Sequence, residues 1–369
     1  MFSESGSVID RTNRLIPRFL RLILCYTGLV KASDINVGYG RISVVFVIIL
    51  LFVNVDNWIL LFTQWNLSYS LKANVAYVAT YFLAAWAWFA VYLKKKQLDD
   101  LLMKLKKITV SVEGEKINFL VLILCCMPIA ISTTVTILVI RMDFAYFSYG
   151  CKIKNLLAKI LLVSLKNILN TIVFPTFTNI MAVFYCVISL ILKSEIKQVT
   201  RDIQNCRYED FSESKRIEIL RRKSRINDAL RCTEDIFSQP SFIIIAADLL
   251  ISFSILSMYL DSKFLMVEGL SIYAEWILYA INCLGSVIFI LWTAGGIPVV
   301  ESEFKEAFHE KMSSRMLLIG ISENLKLEKW FFVKQDHVLT GWGVLSYRRS
   351  SIFAVFGTLI TYTVLIVNK

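Results

Sequence analysis

Hydrophobic and polar positions along the chain change on two length scales. Long apolar runs, nearly free of charge, fall at 42–63, 71–93, 117–140, 168–192, 241–260, 270–294 and 351–367. As helices, runs of this length cross a hydrocarbon layer ~30 Å thick. The fourth run has a diffuse start, because "LLAKILLVSLKNILN" carries Lys159 and Lys166; this predicts an amphipathic helix continuing outward. Between the fourth and fifth runs the pattern changes. Ile196, Val199 and Ile203, then Ile217, Leu220, Ile226 and Leu230, recur among charged residues at helical spacing. That spacing predicts that both spans run on as helices beyond the membrane, and the stretch before the last run has the same character. The chain therefore divides into an N-terminal segment (1–41), transmembrane helices 1–4 (42–192), a helical extension (193–240), helices 5–6 (241–297), a second helical segment (298–350) and a last helix (351–369). The expected fold is an all-α membrane protein with seven transmembrane helices and a helical base.

Composition agrees. With 56% hydrophobic residues and a mean hydropathy of +0.61, a soluble fold would expose far too much apolar surface. The net charge of +11 brings nucleic acid to mind, but its distribution assigns it to topology. Of 40 Lys and Arg, 32 lie in 1–41, 94–116, 193–240 and 298–350, all on one predicted side. Basic residues are retained in the cytoplasm, so the N-terminus is expected inside, the C-terminus outside, and the base cytoplasmic, in a multi-pass protein of the plasma membrane with lipid around it. The sequon Asn66-Leu67-Ser68 then falls in an external loop and Asn66 is a glycosylation candidate. Of eight cysteines only Cys151 is clearly external, so no disulfide framework is expected. The opening stretch, broken by Arg14, Arg18 and Arg21, reads as an amphipathic helix on the membrane rather than a signal peptide.

Motifs for catalysis are missing. His309 and His337 have no partner at ligand spacing, so neither a metal site nor another cofactor is expected, and no phosphate loop or nucleophile motif argues for an enzyme. Gly295-Gly296 ahead of Pro298 predicts a break in the sixth helix. The predicted outer halves of spans two to six carry Tyr77, Tyr81, Thr133, Thr134, Asn170, Phe174, Tyr259, Tyr273, Glu275, Trp276 and Tyr279. Aromatics with a few polar groups suit a small-molecule site, and equally an interfacial aromatic belt. Glu275 stands out, since a carboxylate within a span usually has a partner or a task. Asp56 and Asp248 are intramembrane acids too; Asp248, nearer the inner end, is expected to pair with a base there.

In the last run, positions 351, 354, 358, 361, 365 and 368 read Ser, Ala, Thr, Thr, Leu and Asn, a small and polar stripe on an otherwise apolar helix. An unpaired hydroxyl is costly in hydrocarbon, so the stripe is expected to face protein or water. Two arrangements satisfy it: helix packing through small residues, or a pore wall around a symmetry axis, with Leu365 as constriction and Asn368 as a polar ring.

The end of the chain resembles the signature of insect gustatory receptors: Thr-Tyr, five apolar residues, then Gln-Phe. Here Thr361-Tyr362 is followed by "TVLIV" and then Asn368-Lys369, so Asn stands for Gln and Lys for Phe. The preceding "LTGWGVLSYRRSSIFAVFGTLI", with Gly343 and the pair Tyr347-Arg348, is similar to the segment before that family's last span. The motif covers about thirty residues, and the seven runs, the inside N-terminus and the short external loops agree with it. The resemblance implies a tetrameric, ligand-gated cation channel whose last helices line the pore through Thr358, Thr361, Leu365 and Asn368. A cytoplasmic base would hold homo- or hetero-tetramers together, and a small-molecule tastant of the bitter type would bind within each subunit. A non-conducting accessory subunit, a G-protein-coupled receptor and a transporter are the competing readings. The second lacks its motifs and has the opposite orientation, and the third would show internal repeats.

Overall fold

The computed structural model describes residues 16–30, 39–63, 71–108, 114–141, 149, 153, 155–260, 270–319 and 337–367. Its helices are α1 (Arg18–Tyr26), α2 (Tyr39–Thr63), α3 (Leu71–Leu93), α4 (Lys95–Ile108), α5 (Gly114–Arg141), α6 (Leu156–Thr171), α7 (Thr178–Asn205), α8 (Glu213–Leu260), α9 (Leu270–Ala294), α10 (Ile297–Ile319) and α11 (Ser351–Val367). Among the described residues, five helical stretches are long and apolar enough to cross a membrane, at 43–63, 74–93, 156–205, 213–257 and 279–315; shorter apolar helices at 117–131 and 351–365 complete the seven. Each expected run thus has its helix.

Two runs are parts of longer objects. The fourth begins a dozen residues early, as the amphipathic start suggested, with Asn155 capping α6 through its side chain to the backbone N–H groups of Leu157 and Ala158. A π-helical turn, Ile172–Phe177, then joins α6 to α7, and Phe174 within it leaves the helical region (φ −146°, ψ 127°). The following Pro175 accounts for this, since proline lacks an N–H and its ring disfavours helical backbone in the residue before it. The fifth run is the end of α8, whose 48 residues extend about 70 Å at ~1.5 Å per residue, over twice a bilayer core.

The base is built from the protruding halves of α7 and α8 together with α10. Ile196, Val199, Ile203, Ile226 and Leu230 are all buried within one chain, with Phe211, Phe304 and Phe308 between the helices. Phe308 meets Phe211 edge-on at 5.4 Å. Most of the expected apolar stripe is buried inside a single subunit; Leu220 is half-buried and Ile217 stays exposed, Ile219 taking the inward position instead. An ion pair inside this core joins α8 to α10: the Lys223 ammonium donates to Glu301 and, at 2.6 Å, to Asn227. Arg222 bridges to Glu195 at 3.4 Å and Asp202 at 2.7 Å on α7.

A short hairpin, β1 (Thr340–Gly341) with β2 (Leu345–Ser346), leads from the base to the last helix. Trp342 and Gly343 at its tip both have positive φ, and the Val344 N–H donates to the Gly341 carbonyl at 2.9 Å. This is the type I′ geometry that suits the twist of a hairpin. The hairpin is pinned to α8: Tyr347, wholly buried, shares a 2.6 Å hydrogen bond with Ser241, and the Trp342 N–H donates to Ser238. Burial pushes the Tyr347 phenol above its usual range, so it stays a neutral hydrogen-bonding group. Nearby, His337 lies 3.1 Å from Glu234, whose other oxygen accepts from Thr340 at 2.9 Å; burial pushes the imidazole down, against the pull of the glutamate.

The expected break falls at Gly295-Gly296, between α9 and α10. A side chain on Gly295 would meet the Leu291 carbonyl at 2.7 Å and the Arg349 nitrogen at 2.8 Å. Only glycine lets the chain before the last helix approach this elbow so closely.

Candidate functional site

Four of the residues expected to bind a ligand, Tyr77, Tyr81, Asn170 and Phe174, converge at one place. Tyr77 and Tyr81, one turn apart on α3, share a 2.8 Å hydroxyl hydrogen bond, with rings 5.3 Å apart. Tyr81 meets Phe174 edge-on at 6.1 Å. The π-helical turn matters here, because it brings Phe174 against α3. Asn170, one turn earlier, accepts from Asn57 of α2 at 3.3 Å. Val53, Ala84, Val173, Ala247, Ile251 and Cys283 close round these groups, so five elements meet at one place.

Beside the amides lies a buried ion pair. The Lys166 ammonium is 3.0 Å from Asp56, and both side chains are about 5% exposed. The same ammonium sits 3.8 Å above the Tyr149 ring, whose hydroxyl donates to Asp56. Either charge alone would be costly here; together, with an aromatic face and a hydroxyl, each compensates the other. Asp56 was legible as an intramembrane acid. Lys166, Asn57 and Tyr149 were not assigned to a site, although an opposite pair of charges in two apolar helices is a signal that the partners meet.

Thr133 and Thr134 are exposed, and their hydroxyls are taken by the Ile129 and Ala130 carbonyls of their own helix, at 2.7 and 2.9 Å. Tyr279 is half-buried on α9. The side chains of Tyr259, Tyr273, Glu275 and Trp276 lie outside the described residues, as do Asn66, Asn368 and Lys369. Asp248 differs from expectation. It is wholly buried, with the Ser286 hydroxyl and Cys283 thiol as neighbours rather than a base. Neither of its oxygens completes a hydrogen bond of good geometry among the described residues.

The last helix is the second place of interest. Val355 and Thr363 face the bundle and are buried, while Thr358, Thr361 and Leu365 of the stripe are exposed in the single chain, with Leu365 at 56%. Phe353, Ile360, Tyr362 and Val364 are exposed as well, so α11 is held by a narrow strip only. The threonine hydroxyls are not left wanting, contrary to the reason first given for the stripe. Thr358 and Thr361 donate to the Ala354 and Gly357 carbonyls at 2.8 Å, one turn back. What the stripe offers is therefore small, self-satisfied groups, wettable but not demanding a partner.

No protein-family model matches the chain, and no curated protein sequence matches it. Its fold does have counterparts. The structure of the insect olfactory receptor OR5 from Machilis hrabei superposes with a TM-score of 0.75 at 12% identity, over 98% of this chain and 97% of that one. The same receptor in complex with eugenol superposes with a TM-score of 0.64 at 12% identity, covering 98% of both chains. The chain has the seven-helix fold of an insect olfactory receptor from end to end.

Proposed function

We propose that this protein is an insect chemoreceptor of the gustatory kind: a ligand-gated, non-selective cation channel that opens on binding a small-molecule tastant. The observation that carries the reading is the last helix, apolar and hydroxyl-striped, attached to its own subunit by one edge in a fold shared over 98% of the chain with an insect olfactory receptor. In an assembly around an axis such a helix acquires its neighbours from other subunits. A tetramer puts four Leu365 side chains at one level, a hydrophobic constriction that excludes water when closed. In this reading the N-terminus is inside and the C-terminus outside, which the distribution of Lys and Arg supports.

The ligand is placed at the Tyr77–Tyr81–Phe174 cluster with Asn57 and Asn170. It supplies aromatic faces, two hydroxyls and two amides, and its one pair of charges is already neutralised internally. Such a lining favours a neutral molecule with an aromatic body and a polar tip. The related fold binds eugenol in OR5, which supports a small organic ligand; a bitter-type compound is the tastant class proposed.

The test is cysteine substitution from 358 to 365 with a small charged thiol reagent added outside. Block at 361 and 365, sparing 363, is expected, together with raised unliganded current in Leu365→Ala. Block centred on 363, or uniform reaction, overturns the pore assignment.

A further inference from the structure

At the elbow between α9 and α10, four basic residues gather, with Glu303 the one acid that acts on Lys193. Lys193 and Lys197 lie one turn apart on α7, and Arg348 and Arg349 stand just before α11. The Lys193 ammonium rests against the elbow, so near that a side chain on Gly296 would meet it at 2.8 Å. Burial first, and then the charges of Lys197 and Arg349, weigh against the Lys193 ammonium, while Glu303 acts in its favour. Three further acids of this end are engaged: Glu195 and Asp202 with Arg222, Glu301 with Lys223. Arg349 spreads its guanidinium 4.4 Å over the Trp292 ring, and its Nε is buried without a hydrogen-bond partner among the described residues.

Packing like charges together is unfavourable unless something negative joins them. Position names the class. The cluster sits where the apolar part of α9 ends, beside Trp292, which is 52% exposed and has Ile288 and Phe289 exposed within the preceding turn. An aromatic of this kind marks the edge of the hydrocarbon, where headgroups lie. An anionic headgroup there meets this basic cluster, while its acyl chain runs along that apolar face. A soluble anion would use the charges and leave the apolar face bare.

We propose that Lys193, Lys197, Arg348 and Arg349 form a binding site for an anionic phospholipid headgroup, a doubly phosphorylated inositol lipid fitting the charge best. Because Arg348 and Arg349 lead directly into Ser351, a lipid held there fixes the start of the last helix. This inference needs a membrane-spanning bundle but not conduction, so its test reads binding rather than current.

The full chain is placed in nanodiscs of phosphatidylcholine with a few per cent phosphatidylinositol bisphosphate, and bound lipid and unfolding temperature are measured. Lipid retention with a rise of several degrees is expected. Lys193→Gln/Arg349→Gln should lose at least tenfold in affinity, and Lys193→Arg should keep it. Lys104→Gln/Lys107→Gln, two exposed lysines of α4, removes equal charge and should change little. Equal loss in both double variants reduces the site to general surface charge and overturns it. So does soluble inositol trisphosphate giving the same stabilisation as the lipid, which would assign the cluster to a free phosphate. Unfolding temperature in plain phosphatidylcholine separates loss of binding from loss of fold: a variant that melts earlier there is replaced by Arg349→Lys/Lys197→Gln, which must still weaken lipid binding.

Discussion

The base and the last helix are opposite solutions to the same problem of apolar surface. In the base, Phe211, Phe304, Phe308, Ile226 and Leu230 close on one another and scarcely any of their surface remains exposed. In α11, Phe353 is 82% exposed and Leu365, Tyr362 and Ile360 more than half. Water surrounds the base, so its stripes had to find partners within the subunit or leave a costly exposed patch. Hydrocarbon or a second subunit can surround α11, and neither penalises an exposed leucine. One region is therefore complete in a single chain, and the other is left open to lipid or to a neighbouring subunit.

Three perturbations break or sharpen that contrast. The largest effect is expected in the base: Phe308→Ala should cost about 4 kcal/mol of its stability, as for other buried phenylalanines. Phe353→Ala should leave an isolated subunit within about 0.5 kcal/mol of the parent. Chemical denaturation of the detergent-solubilised protein compares the two, and comparable losses would deny that α11 is bare. Next, Lys223→Met should cost about 3 kcal/mol by stranding Glu301 in the core, whereas Lys223→Met/Glu301→Leu should recover most of it. A double variant as unstable as the single one would show the pair to be a positive contributor.

The smallest effect concerns His337. Burial lowers its pKa in the folded protein below the ordinary ~6.5 of an unfolded chain. The stability tied to neutral His337 is then complete above that value and is lost as pH falls through the lower folded one, since the unfolded chain takes up the proton first. Moving from pH 7.5 to 5.5 should lower the unfolding temperature less in His337→Gln than in the parent. An equal drop would place the acid sensitivity elsewhere.

Much of the fold was legible because its signals are local. Seven apolar runs, the continuation of the fourth and fifth as helices, and the elbow at Gly295-Gly296 each follow from a few consecutive residues. The candidate site was legible in part. Tyr77, Tyr81, Asn170 and Phe174 could be named from composition and depth, but not their convergence, which depends on the π-helical turn at Pro175 placing Phe174 against α3. Lys166 looked like one more external base because nothing in its own neighbourhood reveals Asp56, some 110 residues earlier.

Hydropathy and periodicity by themselves determined the class, the helices and their approximate ends, because the choice between helix and no helix in hydrocarbon is settled by each segment's own backbone. The tertiary structure alone decided which polar groups inside the bundle have partners. Asp56 found a base and Asp248, the acid expected to have one, did not among the described residues. It also decided that Thr358 and Thr361 are satisfied by their own helix, and that the base consumes most of its stripes internally. Pairing depends on helix rotation and distance across the bundle, and an amino-acid pattern fixes those only once all the helices have packed.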